Sequence, residues 1–349
     1  MRLLADYNLS ELTELLKTEF FQPAFRAKQL IKNITRFNSY EEMSDLSKDL
    51  REKLQAEFCD RAVTIEKKFI STDGTIKYLY RLSDGNIIEG AFMKQSYGNT
   101  LCVSTQVGCR MGCAFCASGI GGLVRNLTAG EILSQVLCVN RDNGGTMEKR
   151  AITNVVLMGS GEPLDNYDEV TKFIKLLSSE NGLNVSERNI SLSTCGLVEN
   201  VKRLADDGFT VTLTFSLHAS CDEMRRKVMP IANKYTISQI IDSAKYYFEK
   251  TGRRVIFEYT MIKGTNINHF DAKRLSELLR GFPSHVNLIP LNPVKEKNIV
   301  GCSKIEAERF CKKLNEMGVS ATIRKSKGAD VGGACGQLRR SYVKGEVNG

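Results

Sequence analysis

Apolar positions recur at helical spacing through the first sixty residues, in LTELL, FRAKQLIKNI and LSKDLREKL. Asn8 and Glu11 have the spacing of a capping box ahead of LTELL. From about residue 62 the period shortens. Val63, Ile65, Phe69 and Ile70 lie in a β-type run. Asp73-Gly74 and Asp84-Gly85 then separate it from IKYLYRL and NIIEGAFM, as hairpin turns do. From about residue 100 strand-like runs (LCVSTQ, ITNVVLMG, NISLSTCG, VTLTFSLH, RVIFEYTMI, HVNLIPL) alternate with helical stretches. Two of those helices open on further capping boxes, Thr128 with Glu131 and Thr236 with Gln239. A last helix near 303–317, a strand VSATIRK and a Gly-rich loop, GADVGGACG, complete the pattern.

Six successive β-α units predict a parallel sheet with helices outside it. A closed barrel needs eight. The expected fold is therefore α/β, a partial (β/α)6 TIM-like barrel with an N-terminal helical domain and a short β meander. The expected segments are a helical domain at 1–60, a hairpin extension at 61–100, the barrel at 101–325 and a C-terminal loop at 326–349.

Composition narrows the function. No run of 18 apolar residues suggests a membrane span, and the start, MRLLADYNLS, lacks the pattern of a secretory signal. A cytoplasmic protein is expected. A net charge of +9 favours a polyanionic partner. Eleven cysteines is a high and odd number, which argues against a disulfide scaffold. Most read as small core hydrophobes, but Cys109, Cys113 and Cys116 crowd into GCRMGCAFC. Thiolates at C-x3-C-x2-C spacing suit a soft centre such as an iron–sulfur cluster, with one iron left open. A structural zinc site would need a further His or Cys pair, and the sequence offers no such set nearby.

This triplet at the end of a first barrel strand resembles the signature of the radical S-adenosylmethionine (SAM) superfamily. TQVGCRMGCAFC, MGSGEPLDN, SLSTCGLV, FSLHA, LIPLNPV and ACGQLRR together resemble successive blocks of the RlmN family, over residues 89–340. The resemblance implies methylation of carbon 2 of adenine in 23S rRNA, at the peptidyl-transferase region, and in the anticodon loop of tRNA. It implies a 4Fe-4S cluster on Cys109, Cys113 and Cys116, and two SAM molecules per turnover. It implies SAM contacts at Gly161, Glu162, Ser193, Ser216, Leu217, His218 and Asn292. Cys335 would carry the methyl group as S-methylcysteine. Cys102 would resolve the product through a transient disulfide with Cys335, and Glu89 would accept a proton. A monomer is expected, reduced by a donor such as flavodoxin with its reductase.

The chemistry needs these parts. Carbon 2 of adenine is electron-poor and cannot attack the methyl of SAM, whereas a thiolate can. A deoxyadenosyl radical would then activate the S-methyl group. Positive side chains at strand ends are expected to meet phosphates: Arg225, Arg226, Lys227, Lys295, Lys297, Arg324, Lys325, Lys327, Arg339 and Arg340. Three rivals stand beside this reading. One is another radical SAM class such as an activase or a thiolating enzyme, although thiolating enzymes usually carry a second cluster and the sequence holds no second compact Cys set. A Cfr-type enzyme would methylate carbon 8 instead, although Pro163 and LIPLNPV resemble RlmN more. An RNA-binding protein with a structural metal would lack catalysis altogether.

Overall fold

A computed structural model describes residues 2–291, 299–331, 337–343 and 345. The N-terminal unit comprises β1 (Arg2–Leu3), α1 (Leu9–Thr18), α2 (Phe25–Thr35), α3 (Lys48–Glu57) and β2 (Phe58–Cys59). The β1–β2 pair is parallel, a closure the sequence reading did not anticipate. The capping box expected at Asn8 and Glu11 forms, with both reciprocal hydrogen bonds present.

The meander follows as β3 (Val63–Ile70), β4 (Ile76–Leu82), β5 (Ile87–Gln95) and β6 (Gly98–Cys102). Its neighbours are antiparallel. The remaining elements are β7 (Gln106–Gly108), β8 (Leu123–Asn126), α4 (Ala129–Asp142), β9 (Asn154–Leu157), α5 (Tyr167–Ser178), β10 (Ile190–Thr194), α6 (Val198–Asp206) and β11 (Thr212–Ser216). Then come α7 (Asp222–Val228), α8 (Ile237–Thr251), β12 (Val255–Met261), α9 (His269–Leu279), β13 (Ser284–Pro290), α10 (Lys304–Glu316), β14 (Ala321–Ile323) and α11 (Gln337–Val343). The boxes at Thr128 and Thr236 open α4 and α8 as expected.

One ten-stranded sheet runs β14-β13-β12-β11-β10-β9-β6-β5-β4-β3. From β6 to β14 every neighbouring pair is parallel. The two edges are β14 and β3, so the sheet is open: an α/β partial barrel carrying an antiparallel meander. Two expectations are refined. The run LCVSTQ is not one strand, since it ends at Cys102 and the chain re-forms at β7, which pairs only with β8. The segment after 325 is not all loop, because it contains α11.

Strand order follows chain order through the parallel half. Right-handed crossovers in that order put every helix on the same side of the sheet. Val155, Leu157, Ile190, Leu192, Leu213, Phe215, Val255 and Phe257 meet those helices in one continuous core. That core also includes Leu12, Leu16, Leu50 and Phe58, so the N-terminal unit is packed onto the barrel. The opposite face carries no crossover helix. Register ties Cys102 to Val156, Val156 to Ser191, Ser193 to Thr214, and Ser216 to Glu258, so these residues share that face. Through Ala91, paired with Cys102, Glu89 joins them on β5. A parallel sheet covered on both sides would be apolar on both. This one is polar where helices are missing.

The N-terminal unit meets α4 at its first turn. The Gly130 amide donates to Asp6 Oδ1 at 2.6 Å. A Cβ at Gly130 would lie 2.8 Å from the Asp6 nitrogen and 2.9 Å from the Ala5 carbonyl carbon. We expect Gly130→Ala to lower the melting temperature. Overpacking of about 1–3 kcal/mol opposes a helix-propensity gain of at most about 1 kcal/mol. Thermal unfolding checks this; an unchanged or raised midpoint would show that the contact does not hold the unit.

Candidate active site

The three clustered thiols sit on the loop between β7 and β8. That ribbon fixes the loop's stem, and the Cys109 amide donates to the Gly122 carbonyl at 2.9 Å. Within the loop the Cys116 amide donates to the Cys113 carbonyl at 3.2 Å. The Ala114 amide reaches across to the Val228 carbonyl on α7 at 2.8 Å. Cys113 and Phe115 pack with Cys195, Val228, Met229 and Ile262 in a small apolar cluster. Burial, followed by the negative charge that a Cys116 thiolate would add, pushes the Cys109 thiol up to about 12. The same causes push Cys113 up. Such thiols ionise when a metal centre replaces the proton.

Among the described residues, no three His, Cys, Asp or Glu side chains are gathered as for a single metal ion. A four-iron cube holds its thiolates further apart than one ion does. The donor set fits such a cube: three mutually interacting thiols on one loop, in an apolar pocket.

Strand ends deliver the remaining candidates. Gly161, after β9, has φ +117°, and a Cβ there would lie 2.7 Å from Thr105 Oγ1 and 2.8 Å from Gln106 Cβ. No side chain fits, so the Gly161 backbone lies directly against the chain leading into the thiol loop. Glu162 is buried. Its amide donates to Gln106 Oε1 at 2.8 Å, while its carboxylate accepts from the Leu164 amide at 3.1 Å and the Cys195 amide at 2.7 Å. Burial raises its pKa, and these donors oppose the rise. The carboxylate is thus held rigidly beside the thiol loop.

Ser193 is half-buried on the helix-free face, whereas Thr194 is buried and its hydroxyl accepts from the Gly196 amide at 3.1 Å. Ser216 ends β11 on the same face as Ser193. The Leu217 and His218 amides both donate to the Glu258 carbonyl, at 3.0 and 3.1 Å. His218 has φ +57°, unusual for a residue with a side chain. Its Nδ1 accepts from the Thr260 amide at 3.0 Å, and its ring meets Phe115 edge-on at 4.7 Å. Burial lowers its pKa to about 3, with the Arg225 charge adding to the effect, so the imidazole is neutral. His218 therefore braces the thiol loop through Phe115. Asn292 and Cys335 lie outside the described residues, as do Lys295 and Lys297.

Glu89 and Cys102 are both buried on the face that lacks crossover helices, where α11 covers Glu89. Lys77 Nζ stands 3.4 Å from Glu89 Oε1 in a buried ion pair. The Arg339 amide of α11 donates to Glu89 Oε2 at 2.8 Å. Leu338 packs against Leu79 and Ile87. No disulfide forms among the described residues.

The basic strand-end side chains divide. Arg226, Lys227 and Lys325 are exposed. Arg225 is not: its exposure is 0%. The expectation that it meets phosphate is wrong, because it lies on the inner face of α7 with Val228, three residues on. Arg324 is also exposed, although its guanidinium pairs with the buried Glu258 at 3.3 Å, whereas Arg339 Nε donates to the Ile87 carbonyl at 2.5 Å and serves an internal contact. Gln106 was missed by sequence reasoning. Besides receiving the Glu162 amide, it donates to Asn126 at 2.8 Å and Asp165 at 2.9 Å. Its position between the Cys102 strand end and Cys109, the first thiol of the triplet, was the available signal.

Comparison with known proteins agrees with this arrangement. Residues 103–273 match the radical SAM superfamily, and residues 3–59 match the ribosomal RNA large subunit methyltransferase N-terminal domain. The chain is 51% identical over 348 residues to a probable dual-specificity RNA methyltransferase RlmN of Clostridium perfringens, covering 99% of this chain and 98% of that protein. It is 48% identical to the protein of the same description from Alkaliphilus oremlandii, covering 98% of each. The crystal structure of a radical SAM methyltransferase from Sphaerobacter thermophilus superposes with a TM-score of 0.92 at 40% identity, covering 97% of this chain and 99% of that one. Taken with the thiol loop and the open barrel, these likenesses mean that the chain belongs to the RlmN family of radical SAM RNA methyltransferases.

Proposed function

We propose that this enzyme methylates carbon 2 of adenine in 23S rRNA and in tRNA, through a methyl group carried on Cys335. The observation that carries the reading is the shared helix-free face, where Cys102 and Glu89 stand at the rim that also bears the thiol loop. Both flanks of the Cys335 segment are anchored to the adjoining meander. Before it, Asp330 accepts from the Ser71 hydroxyl at 2.5 Å and the Thr72 amide at 3.0 Å. After it, Leu338 and Arg339 dock on β4 and β5.

In this reading Cys109, Cys113 and Cys116 hold a 4Fe-4S cluster, and Gly161, Glu162, Ser193, Ser216, Leu217, His218 and Asn292 surround SAM. Bound there, cluster and SAM would supply a deoxyadenosyl radical able to take hydrogen from an S-methyl group. The chain's own groups do the rest. The Cys335 thiolate displaces the methyl of a first SAM, forming a carbon–sulfur bond and releasing S-adenosylhomocysteine. Once activated, that carbon adds to carbon 2 of adenine. Glu89, held by Lys77 and the Arg339 amide, accepts the ring proton. The Cys102 thiolate attacks the Cys335 sulfur and breaks its bond to the methyl carbon; that carbon takes up a proton, the two sulfurs form a disulfide, and the unpaired electron would return to the iron–sulfur centre that first supplied it. Exposed Arg226, Lys227 and Lys325 are available for phosphates, and the target adenine is turned out of its stack. The setting is a cytoplasmic monomer reduced by a low-potential donor such as flavodoxin with its reductase.

The direct test is mass spectrometry of nucleosides from RNA incubated with enzyme, SAM and reductant. The expected product is 2-methyladenosine; 8-methyladenosine would move the enzyme to the Cfr-type reaction. We further expect Cys109→Ala, Cys113→Ala and Cys116→Ala each to lose iron, sulfide and SAM cleavage. A single mutant with full iron and turnover would refute the ligand set.

The other two cysteines are expected to differ in kind. Cys335→Ala keeps the cluster and forms no methylated product. Cys102→Ala completes carbon–carbon bond formation but cannot release the base, so it accumulates as a covalent protein–RNA adduct. A denaturing gel with and without nuclease reads this. Absence of a nuclease-sensitive band for Cys102→Ala, or its presence for Cys335→Ala, would overturn the two roles.

A further inference from the structure

Arg225 is a guanidinium with 0% exposure. Its Nη2 donates to the Cys195 carbonyl at 2.6 Å and the Ser216 carbonyl at 3.2 Å, and its Nε donates to the Leu217 carbonyl at 3.1 Å. These acceptors close the ends of β10 and β11, but none carries a charge. Nη1 is buried and has no hydrogen-bond partner. No described carboxylate forms an ion pair with Arg225, although the protein pairs Lys77 with Glu89 and Arg324 with Glu258. Burying a cation without a direct ion pair is costly, and the acids that bear on this one act at a remove: Asp222 on its own helix, and Glu162 across the Cys195 peptide. Such a cation is retained where a negative charge is to be met.

The thiol loop lies next to it. Ala114, between Cys113 and Cys116, is hydrogen-bonded to Val228 on the same short helix as Arg225. Cys113 packs against Cys195 and Val228. The Cys195 peptide joins two buried charges, since its amide donates to Glu162 and its carbonyl accepts from Arg225. A carboxylate already occupies one end of this peptide, so the cation at the other end is needed if the loop is to hold further negative charge.

We propose that Arg225 is the internal counter-charge of the thiol loop, a positioning residue that raises the reduction potential of the cluster. The proposal rests on Cys109, Cys113 and Cys116 holding a four-iron cluster. Three thiolates outweigh the positive charge of such a core, and each electron added makes the site more negative. A fixed cation in a low-dielectric pocket favours the reduced form more than the oxidised one. The electron comes from the low-potential donor and remains on the iron–sulfur core until SAM accepts it. Arg225 exchanges no proton in this step.

The experiment is a potentiometric titration of the anaerobically reconstituted full-length protein, followed by the paramagnetic signal of the reduced cluster. Arg225→Gln removes the charge and keeps amide donors for the carbonyls; its midpoint is expected to be more negative than the wild type's. Arg225→Lys keeps the charge and loses the fork; its midpoint is expected to match the wild type's. Arg225→Gln with normal iron, normal sulfide and an unchanged midpoint overturns the proposal. So does Arg225→Lys with a more negative midpoint, which decides the matter even if the glutamine variant does not fold. Wild-type protein that takes up no iron and sulfide overturns the cluster reading itself, before any titration begins.

Discussion

The constraint on which the rest depends is the direction of the crossovers. Strand order follows chain order from β6 to β14, and right-handed connections then stack every helix on one face. The other face carries no crossover helix among the described residues, and only α11, after the last strand, packs on its β4–β5 part. Its lining over the parallel strands mixes Ser191, Ser193, Thr214, Ser216 and Glu258 with Val156 and Ile256, joined by register to Cys102 and Glu89. Its upper rim, at the strands' C-terminal ends, gathers the loops that follow β6, β9, β10 and β11. The thiol loop, Gly161-Glu162 and His218 all belong to this rim.

Burying charge is expensive, and the protein concentrates that expense at the same rim. Lys77 with Glu89, Glu258 beneath an exposed Arg324, and the Glu162–Cys195–Arg225 chain lie on or beside the face that lacks crossover helices. Replacing such groups by apolar residues would in general cost little or even stabilise a fold. The two acids differ in how they are held. Glu162 is satisfied by backbone amides and is fixed, whereas Glu89 is held partly by an amide of α11, close in sequence to Cys335. The placement of α11 and the environment of Glu89 are therefore coupled.

Much of this was legible in the sequence, for identifiable reasons. Each core strand has enough apolar alternation to be recognised, and Asn8, Thr128 and Thr236 mark their helices because capping is local chemistry. The thiol triplet announces itself by spacing. What failed to show depends on tertiary placement. The run Arg225-Arg226-Lys227 reads as a solvated cationic patch, yet the helical period turns Arg225 inward beside Val228. The apolar residue three positions on was the clue. The β7–β8 ribbon is too short to alternate, and α11 hides behind a Gly-rich stretch. Gln106 is ordinary until its three partners are seen together.

An open barrel has a gap between its edge strands, and the C-terminal segment crosses it. After β14, at one edge, the Gly328 amide donates to Asp73 at 3.1 Å and Asp330 binds the turn between β3 and β4 at the other. Leu338 then packs on β4 and β5, and Tyr342 donates to Glu66 on β3 at 2.5 Å. The chain thus spans the place where two further β-α units would stand in a closed barrel. A complete barrel would fill that space with rigid strands. Here the described parts of the tail border it instead, held against the meander by Asp330, Leu338 and Tyr342. The missing units leave Glu89 bordered by this tail, through the Arg339 amide, where a closed barrel would set another strand.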